Sequence, residues 1–182
     1  MRVITGTARG MKLKTLEGLE VRPTTDQVKE SVFNIIQFEV PGARVLDLFA
    51  GSGQLGIEAL SRGASVAAFV DNSRESVAVV NENLKHTKLS ERATVKNEDA
   101  LSFLNSTRDT FDIAFLDPPY RKDFVVSVLP ALTQRMSDGG VIICETAREE
   151  VLPERVGMFK LHKEYRYGKI KLTVYRNGEE ND

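Results

Sequence analysis

Cysteine occurs once in the 182 residues, as Cys144, so neither an intrachain disulfide framework nor a multi-thiolate zinc site can be built. The two histidines, His86 and His162, lie far apart and neither carries metal-ligand spacing around it, so no metal is expected. No apolar run approaches the roughly 20 residues that a membrane helix requires, and the N-terminus lacks the apolar stretch of a signal peptide. Neither sign of charge dominates, since 25 Lys and Arg face 26 Asp and Glu for a formal net charge of -1. That balance excludes a histone-like polycation and gives no overall pull toward nucleic acid or membrane. Internal repeats are absent, and the only low-complexity stretch is the polar tail at 177–182. These absences leave a cytoplasmic, reduced, soluble protein with no membrane or metal partner, expected to be a monomer.

With 41% hydrophobic residues, a chain of this length can bury about two-thirds of its unfolded surface in one core. Residues 1–14 hold Arg2, Arg9, Lys12 and Lys14 and no acid, so the small net charge hides a basic arm. Two short runs there flank Gly6-Thr7-Ala8-Arg9-Gly10, the pattern of a β-hairpin around a glycine-bounded turn. Arg22-Pro23-Thr24-Thr25 then breaks the chain. Pro23 holds Arg22 extended, and Thr24 or Thr25 can cap a helix running to about Phe38. From residue 43 short β-branched runs at 44–49, 65–70, 93–96, 111–116 and 141–144 alternate with helical spacing at 55–60, 77–84, 101–104 and 124–132. Such alternation predicts βαβ units and a parallel sheet covered on both faces. Two extended runs around Gly168, at 160–167 and 169–176, predict an antiparallel hairpin closing the sheet. The expected fold is a doubly wound, Rossmann-like α/β domain at 41–182, preceded by a hairpin-and-helix extension at 1–40.

Asp47, Asp71, Asp99 and Asp117 each fall at or just beyond the carboxyl end of an expected strand. Ligands in open α/β sheets bind outside those ends, although an aspartate after a strand also caps the following helix. Around the first lies Asp47-Leu-Phe-Ala-Gly51-Ser-Gly53-Gln-Leu-Gly56, which matches G-x-G-x-x-G and has Asp71 twenty residues after Gly51. This loop is shared by NAD, FAD and S-adenosylmethionine sites. A carboxylate beside the turn repels a pyrophosphate and suits a ligand that carries an ammonium and a sulfonium, so Asp47 favours S-adenosylmethionine. Asp71 would then accept from ribose hydroxyls and Asp99 from the adenine amino group. Near the fourth, an apolar strand runs into Asp117-Pro118-Pro119-Tyr120. Asp117 and the Pro118 carbonyl can both accept from one amino group, and Tyr120 offers a face on which a base stacks.

On these motifs the chain resembles class I S-adenosylmethionine-dependent methyltransferases of the amino-methylating type. More narrowly it resembles the RsmD family, bacterial enzymes that methylate guanine N2 in 16S ribosomal RNA. Arg22-Pro-Thr-Thr-Asp26, the residues Val28, Glu30, Phe33 and Asn34, the stretch Glu58-Ala-Leu-Ser-Arg-Gly-Ala64 and Tyr167-Gly168 extend the match over most of the chain. The resemblance implies cofactor contacts at Asp47, Phe49, Gly51, Gly53, Asp71, Asn72, Asp99 and Ala100, and a catalytic segment Asp117, Pro118, Pro119 and Tyr120. It further implies 16S rRNA in an assembled or assembling small subunit as the partner. The sequence departs from the family at Asp71, where Glu is commoner, and at Gln54, where a small residue is expected.

Arg2, Arg9, Lys12, Lys14 and Arg22 form the expected phosphate-binding surface. On that reading, truncating the arm weakens RNA binding and leaves S-adenosylmethionine affinity unchanged. Three rivals share parts of the pattern. A DNA adenine-N6 or cytosine-N4 methyltransferase has the same Asp-Pro-Pro-Tyr box but needs room for target recognition. An NAD-binding oxidoreductase leaves that box unexplained, and a non-catalytic RNA-binding module leaves both motifs without a purpose. Cys144, within an apolar run, reads as a buried strand residue.

Overall fold

The computed structural model describes residues 1–16, 25–119 and 123–177. Five parallel strands form its frame: β1 (Arg44–Leu48), β2 (Val66–Asp71), β3 (Ala93–Asn97), β4 (Phe111–Leu116) and β5 (Met136–Ala147). Between them run α2 (Gln54–Ser61), α3 (Arg74–Thr87), α4 (Ala100–Ser106) and α5 (Phe124–Thr133), preceded by α1 (Asp26–Ile35). The chain ends in β6 (Arg155–Val156), β7 (Phe159–Tyr167) and β8 (Ile170–Asn177). The eight-stranded sheet has the order β3-β2-β1-β4-β5-β8-β7-β6, with β8 antiparallel to both β5 and β7. The doubly wound fold and its C-terminal hairpin are therefore as expected.

Alternation along the strands divides the core into two. On β4, Ile113 and Phe115 face one cluster with the arm, α1, α2 and α3, whereas Ala114 and Leu116 face another with α4 and α5. A strand buried on both faces reads as a continuous apolar run, and 111–116 does. Cys144 is fully buried in β5, where burial raises its thiol pKa, as the sequence implied.

The boundaries differ where glycine or a turn intervenes. β5 begins five residues before the expected run because Met136 pairs with Phe111, and Gly139 and Gly140 mask that extension in the sequence. β1 stops at Leu48, since Phe49 turns into the left-handed region with φ 65°. Thr25 caps α1 by accepting from the Val28 amide at 3.3 Å. The helix ends at Ile35, and residues 36–39 continue as turns, short of the expected Phe38.

The N-terminal arm is a hairpin bridged between Arg2 and Lys12, and Val3, Ala8 and Leu13 are buried in the core that α1, α2 and α3 share. A charged group secures it. Glu58, fully buried on α2, accepts from the Ile4 amide at 2.8 Å, the Thr5 amide at 3.1 Å and Arg62 Nε at 3.0 Å. Lys29 of α1, equally buried, lies 3.7 Å from Glu58 and donates to the Arg2 carbonyl at 2.7 Å. Burial lowers the Lys29 pKa, and Glu58 opposes that shift.

Removing one partner of a buried pair strands the other, at a cost of about 3–5 kcal/mol. Glu58→Gln is expected to destabilise by that order in urea denaturation, and Lys29→Met in the same chain is expected to recover part of the loss. Additive losses in the double variant would contradict the pairing.

Candidate active site

Along the sheet the strand sequence reverses between β1 and β4, so the carboxyl ends of these neighbours open a crevice at the switch point. A cleft of about 180 Å³ lies there, lined by Asp47, Phe49, Ala50, Gly51, Ser52, Gln54, Leu55 and Asp117, together with Met1, Thr15 and Leu16 of the arm. Ligand pockets usually exceed about 300 Å³, so the cleft walled by the described residues is smaller than a typical small-molecule site.

The glycine loop gets its shape from its carboxylates. Gly51 takes φ 59°, and a Cβ on it would meet no atom within 4 Å, so its exposed side faces open space. Its amide donates to Asp71 Oδ2 at 2.9 Å. Gly53 takes φ 81° and caps α2. Gly56 is needed for a different reason, since a Cβ there would lie 2.3 Å from the Phe69 ring, where α2 crosses β2. Phe49 is a bulky residue with positive φ, a strained conformation that clusters at functional sites, and its ring meets Phe124 edge-on at 6.0 Å between centroids.

Asp47 is 2% exposed and accepts from the Gly56 amide at 2.9 Å, in the first turn of α2. Burial, reinforced by the charge of Asp71 and opposed by the Gly56 hydrogen bond, pushes its pKa up to about 7. Asp71 accepts from Ser73 N through its second oxygen, at 2.9 Å, and Asp99 caps α4 by accepting from Ser102 N at 3.1 Å. Three of the four strand-end aspartates therefore brace helix starts, and of these Asp47 also lines the cleft.

The structure brings Asp47, Phe49, Gly51 and Asp117 together on the cleft wall. Gly53 lies behind, against Val80 and Phe69, and Asp71 joins through Gly51. Asn72 and Asp99 are exposed beyond the cleft, and Ala100 is buried in the core under α4. Pro118 is half-buried and Pro119 exposed, while Tyr120 and Arg22 lie outside the described residues. Arg2, Arg9, Lys12 and Lys14 are exposed on the arm. Arg2 reaches Asp26 at 3.8 Å and Lys14 reaches Glu82 at 3.1 Å. No cluster of potential metal ligands occurs among the described residues, and none of their helices is long and apolar enough to cross a membrane.

The arm is also part of the cleft. Met1, Thr15 and Leu16 line it with the glycine loop, so removing the arm would open the cleft as well as remove its charges. A residue that the sequence reading missed makes the connection. Asn83 of α3 is 2% exposed; its Oδ1 accepts from Lys14 N at 2.7 Å, and its Nδ2 donates to the carbonyls of Lys14 at 3.0 Å and Ser52 at 2.9 Å. Its signal was a polar residue on the apolar face of α3, alongside Val79, Val80 and Leu84.

A family model described as "Conserved hypothetical protein 95" matches residues 1–176. The Bacillus subtilis (strain 168) protein YlbH is 42% identical over 181 residues, covering 97% of this chain and 98% of that one. "Ribosomal RNA small subunit methyltransferase D" of Escherichia coli (strain K12) is 35% identical over 178 residues, 97% of this chain and 89% of that protein. The solved structure of yhhF from Escherichia coli superposes with a TM-score of 0.88 at 35% identity, covering 99% of each chain.

The raised pKa of Asp47 fixes the sign of a stability change. An acid that stays protonated in the fold up to about pH 7, but ionises near 3.8 when unfolded, stabilises fully below about pH 4. That contribution is lost as pH rises to about 7. Urea denaturation from pH 4 to 8 is expected to show this decline in the ligand-free protein and a smaller one in Asp47→Asn. Equal slopes would refute the assignment.

Proposed function

The chain belongs to the RsmD family, whose model spans residues 1–176, and from that premise we propose that it methylates the exocyclic N2 amine of a guanine in 16S ribosomal RNA, using S-adenosylmethionine. The relative named for ribosomal RNA small subunit methylation aligns over 97% of this chain. One observation carries the reading: Asp47 and Asp117, at the ends of the neighbouring strands β1 and β4, share a cleft with the glycine loop. When bound, S-adenosylmethionine supplies an electrophilic methyl group on a sulfonium. The residues present suit it, because a cleft with two carboxylates, an open face at Gly51 and a buried Gln54 acceptor with no partner among the described residues favours a cationic ligand over a diphosphate. Asp47, Phe49, Gly51, Gly53, Asp71, Asn72, Asp99 and Ala100 are the residues that would hold it.

An amine conjugated to a base is a poor nucleophile, since its lone pair is delocalised. Asp117 and the Pro118 carbonyl accept hydrogen bonds from that amine, orient its lone pair and stabilise the positive charge that grows on nitrogen. Asp117 need not be a strong base, because the methylated amine is itself acidic. Tyr120 supplies a stacking face for a base displaced from its helix. Arg2, Arg9, Lys12, Lys14 and Arg22 bind phosphates around the target. A monomer acting in the cytoplasm on an assembled or assembling small subunit completes the proposal.

The direct test is methyl transfer from labelled S-adenosylmethionine to small subunits from cells lacking the gene, beside free RNA and duplex DNA. Label in N2-methylguanosine from subunits supports the proposal, and label in a DNA base overturns the substrate. Asp117→Ala is expected to lower turnover at least ~100-fold at saturating S-adenosylmethionine; normal turnover would sink the mechanism.

Arg9 and Lys12 are exposed and have no ion-pair partner among the described residues. Replacing both with Ala leaves the core of the arm intact. It is expected to reduce the slope of log affinity against log salt by about 1–2. An unchanged slope would remove these two residues from the RNA surface.

A further inference from the structure

Gln54 is the first residue of α2, 8% exposed, and lines the cleft with Asp47 and Asp117. Its Oε1 is buried and has no hydrogen-bond partner among the described residues. Leaving a buried acceptor unserved costs about 1–3 kcal/mol. Ser52 and Asn83 next to it are served: the Ser52 carbonyl by Asn83, and Asn83 by Lys14. An acceptor kept empty in a cleft is one that a ligand fills.

The surroundings define the donor. Asp47 and Asp117 bring two carboxyl groups to this small volume, and Met1, Leu16, Phe49 and Leu55 supply apolar wall. Among the described lining residues there is no Lys or Arg, and the acceptors of Asp47 and Gln54 suit a group that carries several N–H donors and a positive charge. Asp71 and Asp99, the acceptors suited to ribose and adenine, stand outside the lining of the cleft. The enclosed volume is too small for a whole nucleoside and large enough for an amino-acid end.

We propose that Gln54 Oε1 accepts a hydrogen bond from the α-ammonium of the amino-acid end of S-adenosylmethionine, making Gln54 a specificity determinant for cofactors that carry that end. The inference rests on the methyl-donor reading above and adds a residue that is not part of the family pattern. The neutral amide is the suitable partner there, since a third carboxylate beside Asp47 would add to the cost of burying charge.

Two ligands and one nearly isosteric variant test it. S-adenosylhomocysteine has the amino-acid end, and 5′-methylthioadenosine has the adenosine and sulfur without it. Gln54→Met keeps the volume and removes the acceptor. Calorimetry is expected to show S-adenosylhomocysteine weakened ~10-fold or more by Gln54→Met, with 5′-methylthioadenosine changed less than about twofold. The melting temperature of the ligand-free variant should rise, because an unserved buried oxygen is gone. Equal weakening of both ligands would reduce Gln54 to a wall of the pocket, and unchanged affinity for both would give its acceptor to some other donor, such as the target amine. Either result overturns the inference, as does a ligand-free variant that melts earlier than the parent. If the parent binds neither ligand, the methyl-donor reading itself fails.

Discussion

A single buried carboxylate holds the front of this molecule together. Glu58 sits on α2, a helix whose first turn completes the glycine loop, and it takes hydrogen bonds from two backbone amides of the arm. Lys29 of α1 reaches the same carboxylate and the Arg2 carbonyl, so three chain segments meet at one charge pair that water does not reach. Burying such a pair gains little by itself, because desolvation offsets attraction. Its effect is geometric. Ser61 repeats the tie one turn on, accepting from the Ala8 amide at 3.0 Å and donating to the Thr5 carbonyl at 2.7 Å. Without the arm these groups on α2 would face solvent or remain unserved.

The arm is consequently a wall of the site as well as a charged surface. Asn83 makes this concrete by bonding Lys14 and Ser52 with one amide, which joins the strand carrying basic residues to the loop carrying the glycines. Lys14 has its backbone in the joint and its side chain at the surface, beside Glu82. One residue thus contributes to both surfaces.

Much of the frame was legible in the sequence, because runs such as 111–116 and 66–71 are buried on both faces and their periodicity survives without tertiary context. The hairpin at Gly168 was legible because two extended runs flank a glycine that takes positive φ at the turn, and the aspartates at strand ends followed once the strands were known. Glu58 and Asn83 were not. Each is a polar residue on an apolar helix face that serves distant backbone groups, 53–54 residues away for Glu58 and 31–69 for Asn83, and no side-chain pattern records those partners. The basic arm misled for a related reason. Its charges alternate with Val3, Ala8 and Leu13, and only packing shows that these three belong to the main core. Counting charges therefore identified the surface of the arm and missed its interior.

The strand-end aspartates also show that capping and ligand binding need not compete. A carboxylate whose oxygens already accept backbone amides is held in position, so the entropy of orienting it is spent at folding rather than at binding. Asp71 is held this way by Gly51 and Ser73, and Asp47 by Gly56. An ionised carboxylate retains further lone pairs for a ligand. The glycine motif by itself admits a dinucleotide or a sulfonium cofactor. Asp47 beside it is the group that separates the two physically: a diphosphate would add like charge next to a buried carboxyl whose pKa burial already lifts to about 7, whereas a cation would oppose that shift.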